Sequence, residues 1–173
     1  MIDSNFIKNS KLSIQNVSRE TLDELNNFSL LILKKNKVIN LISSSSEKSI
    51  KTRHIIDSAQ TIDFIDKNDI KICTDLGSGA GLPGIVLAIL MKPKKPDFKV
   101  IFYEKSYHKS NFLKEISKEL KLNTEINQKN IFEQKNLQTD IIISRAFKPL
   151  PVIFEIASNN FKEFKYIIIF LGK

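Results

Sequence analysis

The sequence is poor in cysteine, histidine, glycine and acid, and each shortage narrows the possibilities. Its 173 residues hold one cysteine, Cys73, and two histidines, His54 and His108. A lone cysteine excludes an internal disulfide and fits a reducing cytoplasm. With no cysteine cluster beside those histidines, no metal site is expected. No apolar run reaches the roughly 18–20 residues that cross a bilayer. The opening MIDSNFIKNSKL lacks the apolar segment of a secretory signal. No heptad pattern or long apolar face points beyond a monomer.

Acid is outnumbered, with 27 Lys and Arg against 19 Asp and Glu, giving a net charge of +8. The excess is uneven. Six basic residues between Lys34 and His54 face one acid, Glu47, and nine lysines from Lys92 to Lys121 face four acids. Basic surface of this kind attracts phosphate backbones. Lys34, Lys35, Lys37, Lys92, Lys94, Lys95 and Lys99 are the expected contacts to a nucleic-acid backbone, which the resemblance described below makes RNA.

Glycine is scarcest where the chain is most regular, and four of the five glycines fall in DLGSGAGLPG at 75–84. Glycine costs backbone entropy and packs no side chain, so such a cluster marks a sharp bend or a close approach. The surrounding pattern says where that bend lies. Residues 1–16 are polar and expected to fray. Ser18 or Thr21 can cap a helix carrying Leu22, Leu25, Phe28 and Leu31 or Ile32 at helical spacing. Ser44 and Glu47 have capping-box spacing, ahead of a helix carrying Ile50, His54, Ile55 and Ala59 towards Ile62. These helices form a cap over about 18–65.

From Ile70 the rhythm changes. IKICTDL, VIFYE, TEIN, DIIISRAF and YIIIFL read as strands, whereas PGIVLAILM, the stretch holding Phe112, Leu113, Ile116 and Leu120, and VIFEIASNNF read as helices. Alternation of this kind predicts an α/β fold with a parallel sheet over about 69–173. The whole of 1–173 then makes one domain. The apolar runs in DIIIS and YIIIF suit strands buried on both faces.

The glycine loop falls at the carboxyl end of the first strand, where open parallel sheets bind ligands. Its glycines are expected to tighten the turn and aim backbone N–H groups at the ligand. Pro83 is expected in the first turn of the following helix. Two ligand classes fit. Gly79, Gly81 and Gly84 match the dinucleotide fingerprint G-x-G-x-x-G. Gly77, Gly79 and Gly81 match acid-x-G-x-G-x-G, the loop that wraps S-adenosylmethionine in Rossmann-like methyltransferases. Register favours the second, because a dinucleotide loop starts its first glycine directly after the strand. Glu104, ending VIFYE, is placed to accept hydrogen bonds from ribose hydroxyls in either class. Cys73 reads as a small core residue.

These residues resemble a known family, the bacterial small-subunit ribosomal RNA methyltransferases once called glucose-inhibited division protein B. The resemblance lies in NLISSSSEKSIKTRHIIDS at 40–58, DLGSGAGLPGI at 75–85, ELKL at 119–122 and IISRAF at 142–147. It implies a class I methyltransferase that modifies the seven-position nitrogen of a guanine in 16S ribosomal RNA, as naked RNA or in the small subunit. By resemblance, Gly77, Gly79, Gly81 and Leu82 line S-adenosylmethionine, Glu104 holds its ribose, and Ile131 and Phe132 beside Asn130 flank its adenine. Arg145 faces cofactor and base as the positioning catalytic residue, and Arg53, His54 and Asp57 close the pocket on the substrate side. Arg53 and Asp57 can also form a plain i, i+4 ion pair. The sequence stops before the family's terminal antiparallel hairpin, so the last strand is expected at an open sheet edge. Two other readings are a nicotinamide-dependent oxidoreductase on the same sheet and a non-catalytic basic RNA-binding module.

Overall fold

The computed structural model describes residues 17–171. The expected fraying of residues 1–16 lies outside them, as does the side chain of Arg53.

Helix α1 (Arg19–Asn36) is capped by Ser18, whose Oγ accepts from the Thr21 amide at 3.2 Å. It buries Leu22, Leu25, Phe28 and Ile32, the stripe predicted from spacing. A short helix, α2 (Ser44–Glu47), follows, and here the capping box does not form. Ser43 occupies the cap position, and the Glu47 carboxylate accepts instead from Asn36 Nδ2 at 2.6 Å. The other end of the Asn36 amide accepts from the Leu41 and Ile42 amides at 2.8 and 3.0 Å. One buried-side asparagine therefore shapes the whole turn between the two helices.

The helix expected from Ile50 to Ile62 is broken into pieces. Ile50–Ile56 is a π-helix, continued by α3 (Asp57–Ala59), and α4 (Ile62–Lys67) begins after a turn. π-Turns carry one extra residue per turn and recur at functional sites. The i, i+4 geometry assumed for Arg53 and Asp57 is therefore not the geometry of this segment.

The core is a five-stranded, all-parallel sheet in the order β3-β2-β1-β5-β7. Its strands are β1 (Ile72–Leu76), β2 (Lys99–Tyr103), β3 (Thr124–Asn127), β5 (Ile141–Arg145) and β7 (Tyr166–Phe170). Between them run α5 (Gly84–Met91), α6 (Tyr107–Glu119) and α7 (Leu150–Asn160). All eight residues of α5 are buried, between the sheet and the cap helices. Apolar on every side, α5 has nowhere else to go, because each of its large aliphatic side chains gains about 1.5–3 kcal/mol from burial. Pro83 lies one position before that helix rather than inside it. A two-stranded ribbon, β4 (Leu137–Gln138) with β6 (Phe161–Glu163), adds a small satellite that the sequence pattern does not announce. Among the described residues, strand β7 has one neighbour, β5, and its residues are half-buried, as an edge strand's are. Cys73 is fully buried in β1, and burial pushes its thiol well up, away from nucleophilic use.

Chain order reverses beside β1. After β3 the chain crosses back to lay β5 on the other side of β1, so β1 and β5 flank the topological switch point. Their carboxyl ends lead into the glycine loop and into Ala146–Phe147, and a crevice opens there.

Candidate active site

The loop after β1 is tied to β2 by its own amides. Gly77 and Ser78 both donate to the Tyr103 carbonyl, at 3.0 and 3.4 Å, and Gly79 donates to Glu104 Oε2 at 2.9 Å. The Gly81 amide donates to the Ser78 carbonyl at 2.7 Å, and the Gly84 amide to Asp75 Oδ2 at 2.9 Å. These five N–H groups point into the protein, which corrects the expectation that they aim at a ligand. What the glycines provide is room and handedness. Gly77 has φ +66°, and a Cβ there would stand 2.0 Å from Cδ2 of Phe147, whose ring lies over the loop. A Cβ on Gly79 would meet only the Gly77 carbonyl oxygen, at 3.8 Å, so this residue bares an open cradle.

Gly81 has a different task from the one its motif position suggests. A Cβ there would stand 2.5 Å from Ile85 and 2.8 Å from Leu113, so the missing side chain lets α5 and α6 close on the loop. Gly81, expected among the cofactor contacts, is not among the residues lining the opening, and the geometry gives it a packing role.

Glu104 is 8% exposed, and both of its oxygens are engaged: Oε2 with Gly79 and Oε1 with the Ser106 amide at 2.8 Å. Each carboxylate oxygen has a further lone pair. Glu104 therefore fixes the loop and still has acceptor capacity towards the opening, which suits a ribose diol.

The opening itself is about 660 Å³, of the size that holds a small organic ligand. Gly77, Gly79, Leu82, Glu104, Ile131, Phe132, Arg145 and His54 all line it. Its cap side is the turn held by Asn36, with Leu41, Ile42 and Ser43. A 3-10 turn (Ile131–Glu133) buries Ile131 and leaves Phe132 44% exposed at the rim. Asp57 does not line the opening. Its Oδ2 accepts from Arg145 at 3.4 Å, joining cap to sheet, and the Arg145 guanidinium lies 5.8 Å from the Phe170 ring centroid.

Asp75 opens the glycine motif and is completely buried. Burial raises its carboxyl from 3.8 to about 7, opposed by the Gly84 amide and assisted by the nearby Glu104 charge. A carboxyl with a folded pKa above its unfolded one holds its proton more tightly in the native state. Stability from this group is complete below about pH 4 and declines as pH rises through about 7. Asp75→Asn is therefore expected to flatten the fall in urea midpoint between pH 5 and pH 8. Parallel midpoint curves for the two proteins would show that Asp75 does not titrate there.

The same contact limits what α5 can bind. A dinucleotide's pyrophosphate needs free amides at the helix N-terminus. Here the first helical amide is committed to Asp75, and Pro83 before it has none. The oxidoreductase reading loses its anion site.

The basic residues are distributed differently from expectation. Lys92, Lys94, Lys95 and Lys99 lie at the amino ends of the strands, about 17 Å of strand away from the glycine loop. They also have acidic neighbours: Lys92 pairs with Glu24 at 2.7 Å, Lys94 and Lys95 share Asp66 at 3.3 and 3.7 Å, and Lys99 pairs with Glu125 at 2.6 Å. Lys35 pairs with Glu115 at 3.3 Å. These five lysines sit in surface ion pairs, while Lys34 and Lys37 are exposed at the end of α1. The lysines at the opening are Lys105, Lys109, Lys129 and Lys148, and Tyr103 and Phe147 line it with them.

A crevice at a parallel switch point, a glycine cradle after β1 and a buried acid ending β2 define a Rossmann-like class I methyltransferase, the class that uses S-adenosylmethionine. Solved structures agree on the fold. Coclaurine N-methyltransferase, determined with N-methylheliamine and S-adenosylhomocysteine, superposes with a TM-score of 0.53 at 13% identity, covering 96% of this chain and 56% of its own. TehB from Haemophilus influenzae superposes with a TM-score of 0.51 at 20% identity, covering 72% and 44%. Within that class, this chain belongs to the rRNA small subunit methyltransferase G family, whose model matches residues 21–173. Ribosomal RNA small subunit methyltransferase G of Pelagibacter ubique is 49% identical over 164 residues, which is 94% of this chain and 76% of that protein. Its counterpart in Cereibacter sphaeroides (strain ATCC 17029) is 36% identical over 154 residues, 89% and 74% of the two.

Proposed function

We propose that this protein transfers a methyl group from S-adenosylmethionine to the seven-position nitrogen of a guanine in 16S ribosomal RNA. It acts in the cytoplasm as a single-domain monomer, on the RNA or the small subunit. The observation that carries the reading is the pairing of the open Gly79 cradle with Glu104, whose carboxylate ties down the loop and still faces the opening.

The residues fit the cofactor. Glu104 would accept from the ribose hydroxyls, Gly77 and Gly79 would face the methionine part, and Ile131 and Phe132 would bracket the adenine. When bound, S-adenosylmethionine supplies an electrophilic methyl group on a sulfonium. The target nitrogen carries a lone pair and no proton, so the protein needs no general base. No catalytic His/Asp pair is required, and the chain's work is to position, to exclude water and to hold the base. Arg145 holds the guanine carbonyl oxygen, an acceptor arginine commonly reads. It does not face the reacting nitrogen, where a cation would oppose the positive charge that develops on the ring. Arg53, His54 and Asp57 close the substrate side, Asp57 by way of Arg145.

Calorimetry with S-adenosylhomocysteine and with NAD, followed by methyl transfer to small subunits mapped by mass spectrometry, tests the reading. Heat with S-adenosylhomocysteine alone and one methylated guanine are expected. Absence of heat with a folded sample would remove the cofactor assignment. Heat without methyl transfer would favour a non-catalytic RNA-binding module.

A further inference from the structure

The charge at the opening is lopsided in a way that the overall basic composition does not explain. Lys105, Lys109, Lys129, Lys148 and Arg145 line it, against one acid, Glu104, which is buried and bonded to two amides. Among the described residues, none of the four lysines takes part in an ion pair. Lys92, Lys94, Lys95 and Lys99, at the far ends of the strands, differ in that each has a carboxylate within 4 Å. Glu125, the acid whose carboxyl Lys129 helps to lower, is itself taken by Lys99. Four unpaired lysines thus gather at the opening, where one buried acid faces them.

The bare lysines come from three separate elements. Lys105 and Lys109 flank the start of α6, Lys129 follows β3, and Lys148 follows β5. Four cations brought together around one opening, with Glu104 as its single and buried acid, would repel one another, so the arrangement suits a polyanion. An exposed aromatic stands among them: Phe132, with the Lys148 ammonium 5.9 Å from its ring centroid. A positively charged groove that tracks the phosphates is one part of how single-stranded nucleic acid is held.

We infer that Lys105, Lys109, Lys129 and Lys148 form a phosphate collar that grips the RNA backbone on either side of the nucleotide entering the opening. This rests on the proposed function and deepens it, since it names which surface of the protein meets RNA. The far-end lysines contribute no phosphate contact. The collar follows the carboxyl ends of β2, β3 and β5, so it holds the strand along the sheet side of the cradle.

The test compares three full-length variants binding a 16S ribosomal RNA transcript over a range of salt. In the first, the four collar lysines become glutamine; in the second, they become arginine; in the third, Lys35, Lys94, Lys95 and Lys99 become glutamine. Each lost phosphate contact is expected to lower the slope of log affinity against log salt by about 0.7. The collar-to-glutamine protein should therefore lose about 2–3 units of slope and at least about 30-fold in affinity near physiological salt. The arginine and far-end variants should keep both. If the collar-to-glutamine protein is misfolded by circular dichroism, Lys129→Gln and Lys148→Gln alone should each lose about 0.7 of slope. An unchanged slope, or equal loss in collar and far-end variants, overturns the collar. Wild-type calorimetry with S-adenosylhomocysteine is independent of these results. A protein that binds S-adenosylhomocysteine and methylates small subunits, yet shows no collar effect, loses this inference and keeps its function. If the wild type binds no S-adenosylhomocysteine, the functional reading fails, and the inference that rests on it fails too.

Discussion

Glu104→Ala should weaken S-adenosylhomocysteine binding at least about 100-fold, through two losses that act together. The first is direct, because a carboxylate accepting from ribose hydroxyls contributes about 1.5–3 kcal/mol per charge-assisted bond. The second acts through the loop. Oε2 holds the Gly79 amide at 2.9 Å and Oε1 the Ser106 amide at 2.8 Å, so alanine leaves both donors without their acceptor and frees the cradle to move. Loss of the buried carboxylate should also lower the thermal midpoint, so the titration is best run well below it. Glu104→Gln separates the two losses. Its remaining carbonyl oxygen can keep one amide tie but offers no negative charge, and it should fall between wild type and alanine. If Glu104→Ala binds S-adenosylhomocysteine as wild type does, the ribose is held elsewhere.

The parts legible in the sequence were those set by local pattern. Alternating apolar strands and helices mark β1, β2, β5, β7 and α5–α7. Burial on both faces accounts for the apolar run of β5. Strand β7, equally apolar and expected to be buried on both faces, lies half-buried at the sheet edge. Glycine clustering located the cradle, and the stripe of Leu22, Leu25, Phe28 and Ile32 located α1. What the sequence did not reveal depends on distance along the chain or on backbone detail. A seven-residue π-helix at Ile50–Ile56 has too few turns for its period to be told from 3.6. The direction of the loop amides depends on acceptors in Tyr103 and Glu104, on another strand. Gly81 looked like a ligand contact because the motif spacing cannot say which glycine faces a helix. The pairing of the lysines is hidden for the same reason. A run such as Lys92, Lys94 and Lys95 looks bare until Glu24 and Asp66, far away in sequence, fold against it. Composition reports how much charge there is, whereas only the fold decides which of it is neutralised.

Arg145→Ala should lower the rate of methyl transfer to small subunits about 100-fold in single turnover while leaving the protein folded. Arg145 ends β5 at the switch point, its side chain is 18% exposed, and it lines the same opening as Gly79 and Glu104. Its guanidinium is pinned from two sides, by Asp57 in the cap and by the Phe170 ring in β7. Such a held fork fixes the in-plane orientation of a base through its carbonyl oxygen. A displacement of about 1 Å in the reacting atoms can cost about 100-fold. Lysine at this position keeps the charge and loses the planar fork, so Arg145→Lys should recover little. Asp57→Asn keeps Arg145 and loosens one of its supports, and should slow transfer by less than Arg145→Ala does. The ordering separates positioning from simple attraction. If charge alone mattered, Arg145→Lys would approach wild type and Asp57→Asn would change nothing. Wild-type turnover in Arg145→Ala would remove this residue from the reaction altogether.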